Sequence, residues 1–102
     1  MSTVATKITF KLSGLFGKSG RYYEFRTPLE LVVETDELGN WIHRIDELDI
    51  WSVEPTREDS MQSLMQIMDE HYENYGIPKL KFSSAGARKV QKLLQDTIKS
   101  AR

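Results

Sequence analysis

Two histidines, a glycine–lysine–serine run and several carboxylate clusters are the residues of this 102-residue chain whose types suit chemistry. A closed metal site needs three or four nitrogen, oxygen or sulfur ligands at fixed spacing. His43 and His71 form no HxxxH or HExxH pair, and the chain has no cysteine. Zinc–thiolate sites, iron–sulfur clusters, disulfides and cysteine nucleophiles are thereby excluded, and neither a metal nor a cofactor is expected. His71 stands three residues after Met68 with Glu70 and Glu73 nearby, and reads as a histidine at the margin of an apolar helix stripe. Gly17-Lys18-Ser19 resembles the end of a phosphate-binding loop. That loop needs a glycine five residues before Gly17, where Leu12 stands, and no helical pattern follows. Paired carboxyls do acid–base work when a pocket pushes their pKa values apart. Asp36/Glu37, Asp46/Glu47/Asp49, Glu58/Asp59 and Asp69/Glu70 each have a simpler place, in a hairpin loop, a strand break, a helix start and a solvated helix face. No serine sits in a nucleophile elbow. No catalytic residue is assigned, and the chain is expected not to be an enzyme.

Binding is the better prospect, because charge is segregated along the chain. Glu30 to Glu73 holds thirteen acids against Arg44 and Arg57, while Lys79 to Arg102 holds seven bases against Asp96. The formal net charge of −1 conceals this division. Complementary fields steer a charged partner and reject wrong ones. Glu58, Asp59, Asp69, Glu70 and Glu73 are the candidate contacts for a small basic protein. Arg88, Lys89, Lys92 and Lys99 are the candidates for the alternative, phosphate neutralisation on a nucleic acid, although no RNP-type or zinc-finger motif accompanies them. Tyr22, Val32, Ile42 and Trp51 would form an apolar patch on the face of a sheet left open by helices, suited to dimerisation or partner docking.

These residues need elements to hold them. Ile8, Phe10 and Leu12 alternate with Lys7, Thr9 and Lys11, which predicts a strand over Thr6 to Leu12. The glycines of Ser13 to Arg21 predict a loop. Tyr22 to Thr35 reads as extended, with Pro28 favouring an edge or a bulge. Asp36 to Asn40 is a hairpin loop. Its length sets the register: five residues pair Thr35 with Trp41 and turn His43 and Ile45 to the core, whereas four turn Ile42 and Arg44 there. The first buries Ile45 rather than a charge and is preferred. Trp41 to Val53 forms one or two strands, broken near Asp46-Glu47. Thr56 caps a helix whose stripe is Met61, Leu64, Met65, Met68, Tyr72 and Tyr75, ended by Gly76 and Pro78. Leu80 to Phe82 is a possible short strand. Ser83 or Ser84 caps a second helix to about Ser100, with Ala87, Val90, Leu94, Ile98 and Ala101 on its apolar face. The expectation is a single α+β domain over residues 1–102. It has a three- to four-stranded, mainly antiparallel sheet with two helices on one face, in the order β-β-β-α-(β)-α. Apolar runs are too short for a membrane span, and Met1 to Lys7 lacks the apolar core of a signal peptide, so a cytoplasmic setting is expected.

From Leu29 to about Tyr75 the chain resembles the HicB-like antitoxin family. Family members show a strand, an acidic hairpin turn with glycine, a strand with an aromatic or apolar start, a Pro/Asp-Leu element, a short strand and a Thr-x-Glu-Glu/Asp helix start. The counterparts are Asp36-Glu37-Leu38-Gly39-Asn40, Trp41-Ile42, Glu47-Leu48, Ile50 to Val53 and Thr56-Arg57-Glu58-Asp59. Asp49-Ile50 stands where the family carries Gly-Cys, and Ser60 and Met61 stand near its usual alanine. The resemblance implies a degenerate RNase-H-like β-β-β-α fold without catalytic carboxylates. It also implies an oligomeric protein that binds and masks a small basic RNA-cleaving toxin. Family antitoxins often add a DNA-binding domain, for which the 27 residues after Tyr75 are few.

Overall fold

The alternation of Ile8, Phe10 and Leu12 becomes β1, Lys7–Phe16, which runs antiparallel to β2, Tyr22–Thr35. The computed structural model describes residues 6–102, so the signal-peptide reading of Met1 to Lys7 lies mostly outside them. At about 3.3 Å per residue, the 14 residues of β2 span most of the 52 Å long dimension. β1 takes one edge of β2. On the other edge, β3 (Trp41–Ile45) pairs with residues 32–35 and β5 (Ile98–Ala101) pairs with residues 23–25. β4 (Ile50–Glu54) pairs with β3 and ends the sheet.

The β2–β3 register is the five-residue one: Thr35 lies opposite Trp41 and Val33 opposite His43. Ile45 is thereby fully buried, and Arg44 emerges on the other face, held by Glu34 at 3.2 Å and by Asp46. A short 3-10 turn, Asp46–Leu48, breaks the chain between β3 and β4, and Asp49 completes it at φ 56°. Opposite Pro28 the β1–β2 ladder skips from Leu12/Leu29 to Gly14/Glu24. A proline has no N–H to give to a ladder, so the irregularity falls where it costs least.

Thr56 caps α1, Arg57–His71, accepting from the Asp59 amide at 3.1 Å. Leu64 and Met68 of its stripe are fully buried against β3 and β4. Thr56→Ala should lower stability by about 1 kcal/mol, read as a shifted urea midpoint at unchanged slope. A π turn, Tyr72–Gly76, follows, and α2, Ala85–Thr97, starts at the Ser84 cap and packs against that turn and the start of β2. Both helices lie on the same side of a five-stranded antiparallel sheet. The architecture is α+β.

Three local expectations are corrected. β1 continues to Phe16, and only residues 17–21 turn; Gly14 is a strand residue whose missing Cβ leaves room for the Tyr22 ring. Leu80 to Phe82 forms no strand. The second helix stops at Thr97, and Ile98–Ala101 pairs with β2 instead, with Tyr22 and Arg102 exchanging backbone bonds of 2.7 and 3.1 Å. The edge of β2 around Tyr23 carries peptide groups that would otherwise lack partners, and residues 98–102 satisfy them.

Candidate functional site

The five acids singled out from the sequence all lie on or just beyond α1, but they do not share a face. Glu58, Asp59, Glu70 and Glu73 are exposed. Asp69 turns inward and is 8% exposed. Its carboxylate accepts the Tyr23 hydroxyl at 2.5 Å and the Ser19 amide at 2.8 Å. Asp69 therefore leaves the list of surface contacts: it anchors the β1–β2 turn to α1. Gly17 is required there, because a Cβ would overlap the Asp69 carboxylate. Burial opposes the charged form of Asp69, but bonds from Tyr23 and Ser19, with the Arg21 charge, hold its pKa below the usual carboxylate range. Burial, with Asp69 as second cause, pushes the Tyr23 hydroxyl pKa up.

The histidines are not brought together. His43 is buried, with Nδ1 2.8 Å from Ser60 Oγ, and Ser52 Oγ donates to the Ser60 carbonyl at 2.6 Å. This serine–histidine contact is no nucleophile, because Ser60 is fully buried. Burial and the nearby Arg57 charge lower the His43 pKa. His71 stacks edge-on to Tyr75, and its Nε2 is buried without a hydrogen-bond partner. Among the described residues no group of three His, Asp or Glu side chains is placed to hold an ion.

The basic candidates scatter as well. Lys92 pairs with Asp96 at 3.0 Å, and Arg88 donates to the carbonyls of Phe82 and Ser83. Lys99 lies on β5 rather than on the helix, 3.9 Å from Glu24. Lys89 is exposed on α2. Among the described residues no helix is long and apolar enough to cross a membrane.

Two grooves flank α1. One, of about 520 Å³, lies toward β1 and is lined by Phe10, Leu31, Val33, His43 and Met61, with Glu58 at its rim. The other, of about 440 Å³, lies beyond β4 and is lined by Trp51, Val53, Glu54, Ser63, Ile67 and Glu70 among others. On the open face of the sheet, Ile42 lies opposite Val53 and Arg44 opposite Trp51. Trp51 is 59% and Val53 47% exposed. The exposed apolar surface of that face is therefore Trp51 and Val53 beside half-buried Ile42; Val32 is only 3% exposed and leaves the expected patch, as does Tyr22, which packs on Phe16 at the far end of β2. Sequence reasoning passed over Val53 and Ile67. Ser63, Gln66, Ile67 and Glu70 do recur at i, i+3, i+4 and i+7, a second stripe that polar composition disguises.

The fold and the site define a small α+β chain with an antiparallel sheet. No protein-family model matches the chain, and no curated protein or solved structure was found to match it.

Proposed function

We propose that this chain is a non-catalytic protein-binding module, antitoxin-like, that binds and masks a small basic protein. One observation carries the reading. Glu58, Asp59, Glu70 and Glu73 stand exposed along α1 and its continuation, and none has an ion-pair partner among the described residues. Unneutralised charge of one sign on one element is what a partner of opposite sign would use for steering and register. The resemblance to HicB-like antitoxins points the same way and adds the expectation of a cytoplasmic, self-associating protein. In support of it, Asp49 adopts the left-handed conformation at the position where that family carries glycine. The nucleic-acid alternative is weaker, since Arg88, Lys92 and Lys99 each engage groups of this chain.

The test is affinity capture from source-cell lysate after nuclease treatment, then a binding isotherm on the basic protein retained. The variant Glu58→Lys/Asp59→Lys/Glu70→Lys/Glu73→Lys should bind roughly 100-fold more weakly at low salt and lose most of its salt dependence. Equal affinity for the variant, or retention of nucleic acid alone, would overturn the reading.

A further inference from the structure

The inner stripe of α1, Leu64 and Met68, covers β3 and β4, but its second stripe reaches past the end of the sheet. Ser63, Gln66, Ile67 and Glu70 face β4 across the 440 Å³ groove. A second hollow, of about 270 Å³, lies beside it between Asp49, Ile50, Trp51, Ile67 and His71. Trp51 and Ile67 line both, and the pair of hollows, together the trough, follows β4 from Glu54 to Asp49. Six residues of strand occupy roughly 20 Å. β4 is the last strand of the sheet, and among the described residues no strand pairs with its outer edge. Alternate N–H and C=O groups of an edge strand point outward and can pair with another chain. The place where a further strand would lie is flanked by a helix and unfilled.

The lining says what kind of strand fits. Glu54, Glu70 and Asp49 contribute carboxylates, and among the described residues no Lys or Arg lines either part of the trough. Trp51, more than half exposed, offers an indole face, the best aromatic surface for a Lys or Arg side chain. Arg44, its cross-strand neighbour, is neutralised by Glu34 and Asp46. At the other end, His71 Nε2 is buried without a partner. We propose, resting on the reading of a basic partner, that the trough receives an extended basic segment of that partner as an added strand on β4. One Lys or Arg of the segment lies over Trp51, within the field of Glu54 and Glu70. Main-chain bonds to β4 supply affinity, and the carboxylates select against acidic segments.

The experiment titrates the isotopically labelled full chain with a blocked six-residue peptide of alternating lysine and valine, and separately with its glutamate–valine counterpart. The expected result is saturable amide shifts confined to Ile50–Glu54 and the Trp51 indole, with the lysine peptide only. Trp51→Ala and Glu54→Gln/Glu70→Gln should each weaken it at least tenfold. All three replaced side chains are at least partly exposed, and far-UV circular dichroism checks that the variants fold. Absence of shifts at millimolar peptide, equal response to both peptides, or shifts along β1 would overturn the proposal. So would β4 shifts that depend on protein concentration without peptide, which would assign the trough to a second copy of the chain. The outcomes separate from those of the partner reading. A captured basic protein sensitive to the α1 reversals but indifferent to Trp51→Ala leaves that reading standing and removes this one. Peptide binding in the trough without any such protein removes the partner reading and overturns the proposal as a partner's segment, leaving only a trough that takes a basic strand.

Discussion

Asp69→Ala should cost about 3 kcal/mol of folding stability, more than any of the exposed acids around it. The Asp69 carboxylate accepts the hydroxyl of a fully buried tyrosine, Tyr23, and the amide of Ser19. Hydrogen bonds to a charged group contribute about 1.5–3 kcal/mol each, and a buried donor left alone costs about 1–3 kcal/mol. Alanine removes the acceptor of both, stranding the buried Tyr23 hydroxyl and leaving the Ser19 amide, on an exposed residue, to water. Tyr23→Phe should cost about 2 kcal/mol, since it leaves the carboxylate buried with less solvation. The two replacements act on one contact and are not additive: the double variant should be at least ~1 kcal/mol more stable than the sum of the singles implies. Gly17→Ala should reproduce part of the loss by driving a methyl group into the carboxylate. Urea unfolding of the four variants at neutral pH makes the measurement. Strict additivity of Tyr23→Phe and Asp69→Ala, or an Asp69→Ala cost under about 1 kcal/mol, would remove the anchoring role.

Acidification below the ordinary histidine pKa should destabilise the protein well before its carboxylates protonate. Burial, with Arg57 nearby, lowers the pKa of His43. Burial also lowers that of His71, against the opposing pull of Asp49 and the Leu48 carbonyl. Between the lowered folded pKa and the unfolded value of about 6.5, the unfolded chain binds protons that the folded chain refuses. Stability then rises with pH through that window, and it is lost as pH falls from 6.5. Each histidine contributes a slope of at most about 1.4 kcal/mol per pH unit, so the pair reaches at most about 3. The carboxylate of Asp69, whose folded pKa is lowered, adds its own loss only below its unfolded value near 3.9. Urea midpoints from pH 7.5 to 5 should fall steadily for the natural chain. His43→Gln and His71→Gln should each flatten the line, whatever they do to stability at pH 7.5. A midpoint independent of pH over this range would show that neither ring is held neutral by the fold.

Local chemistry was legible in the residues themselves. Thr56 as a cap, the Leu64–Met68 stripe, the disruption near Pro28 and the break at Asp46-Glu47 each depend on neighbours a few residues apart. The hairpin register belongs with them, because a one-residue slip would have exchanged buried Ile45 for Arg44. The candidate acids were legible as charge, but not as exposure. Asp69 and Glu70 are adjacent and chemically alike, yet one meets Tyr23 across 46 positions and the other faces solvent.

Hydrophobic period, caps and turn residues thus determine most of the strands and helices, since those energies are local. Three further outcomes depended on which surfaces met once the segments had formed. Ile98–Ala101 became a strand because β2 offered an unpaired edge there. The polar stripe of α1 became one wall of a trough because β4 is the last strand beneath it. Asp69 became an anchor because the β1–β2 turn brought the Ser19 amide to it while β2 supplied the Tyr23 hydroxyl. Burial and pairing between residues far apart in the chain are properties of the assembled layers, and no spacing along one segment encodes them.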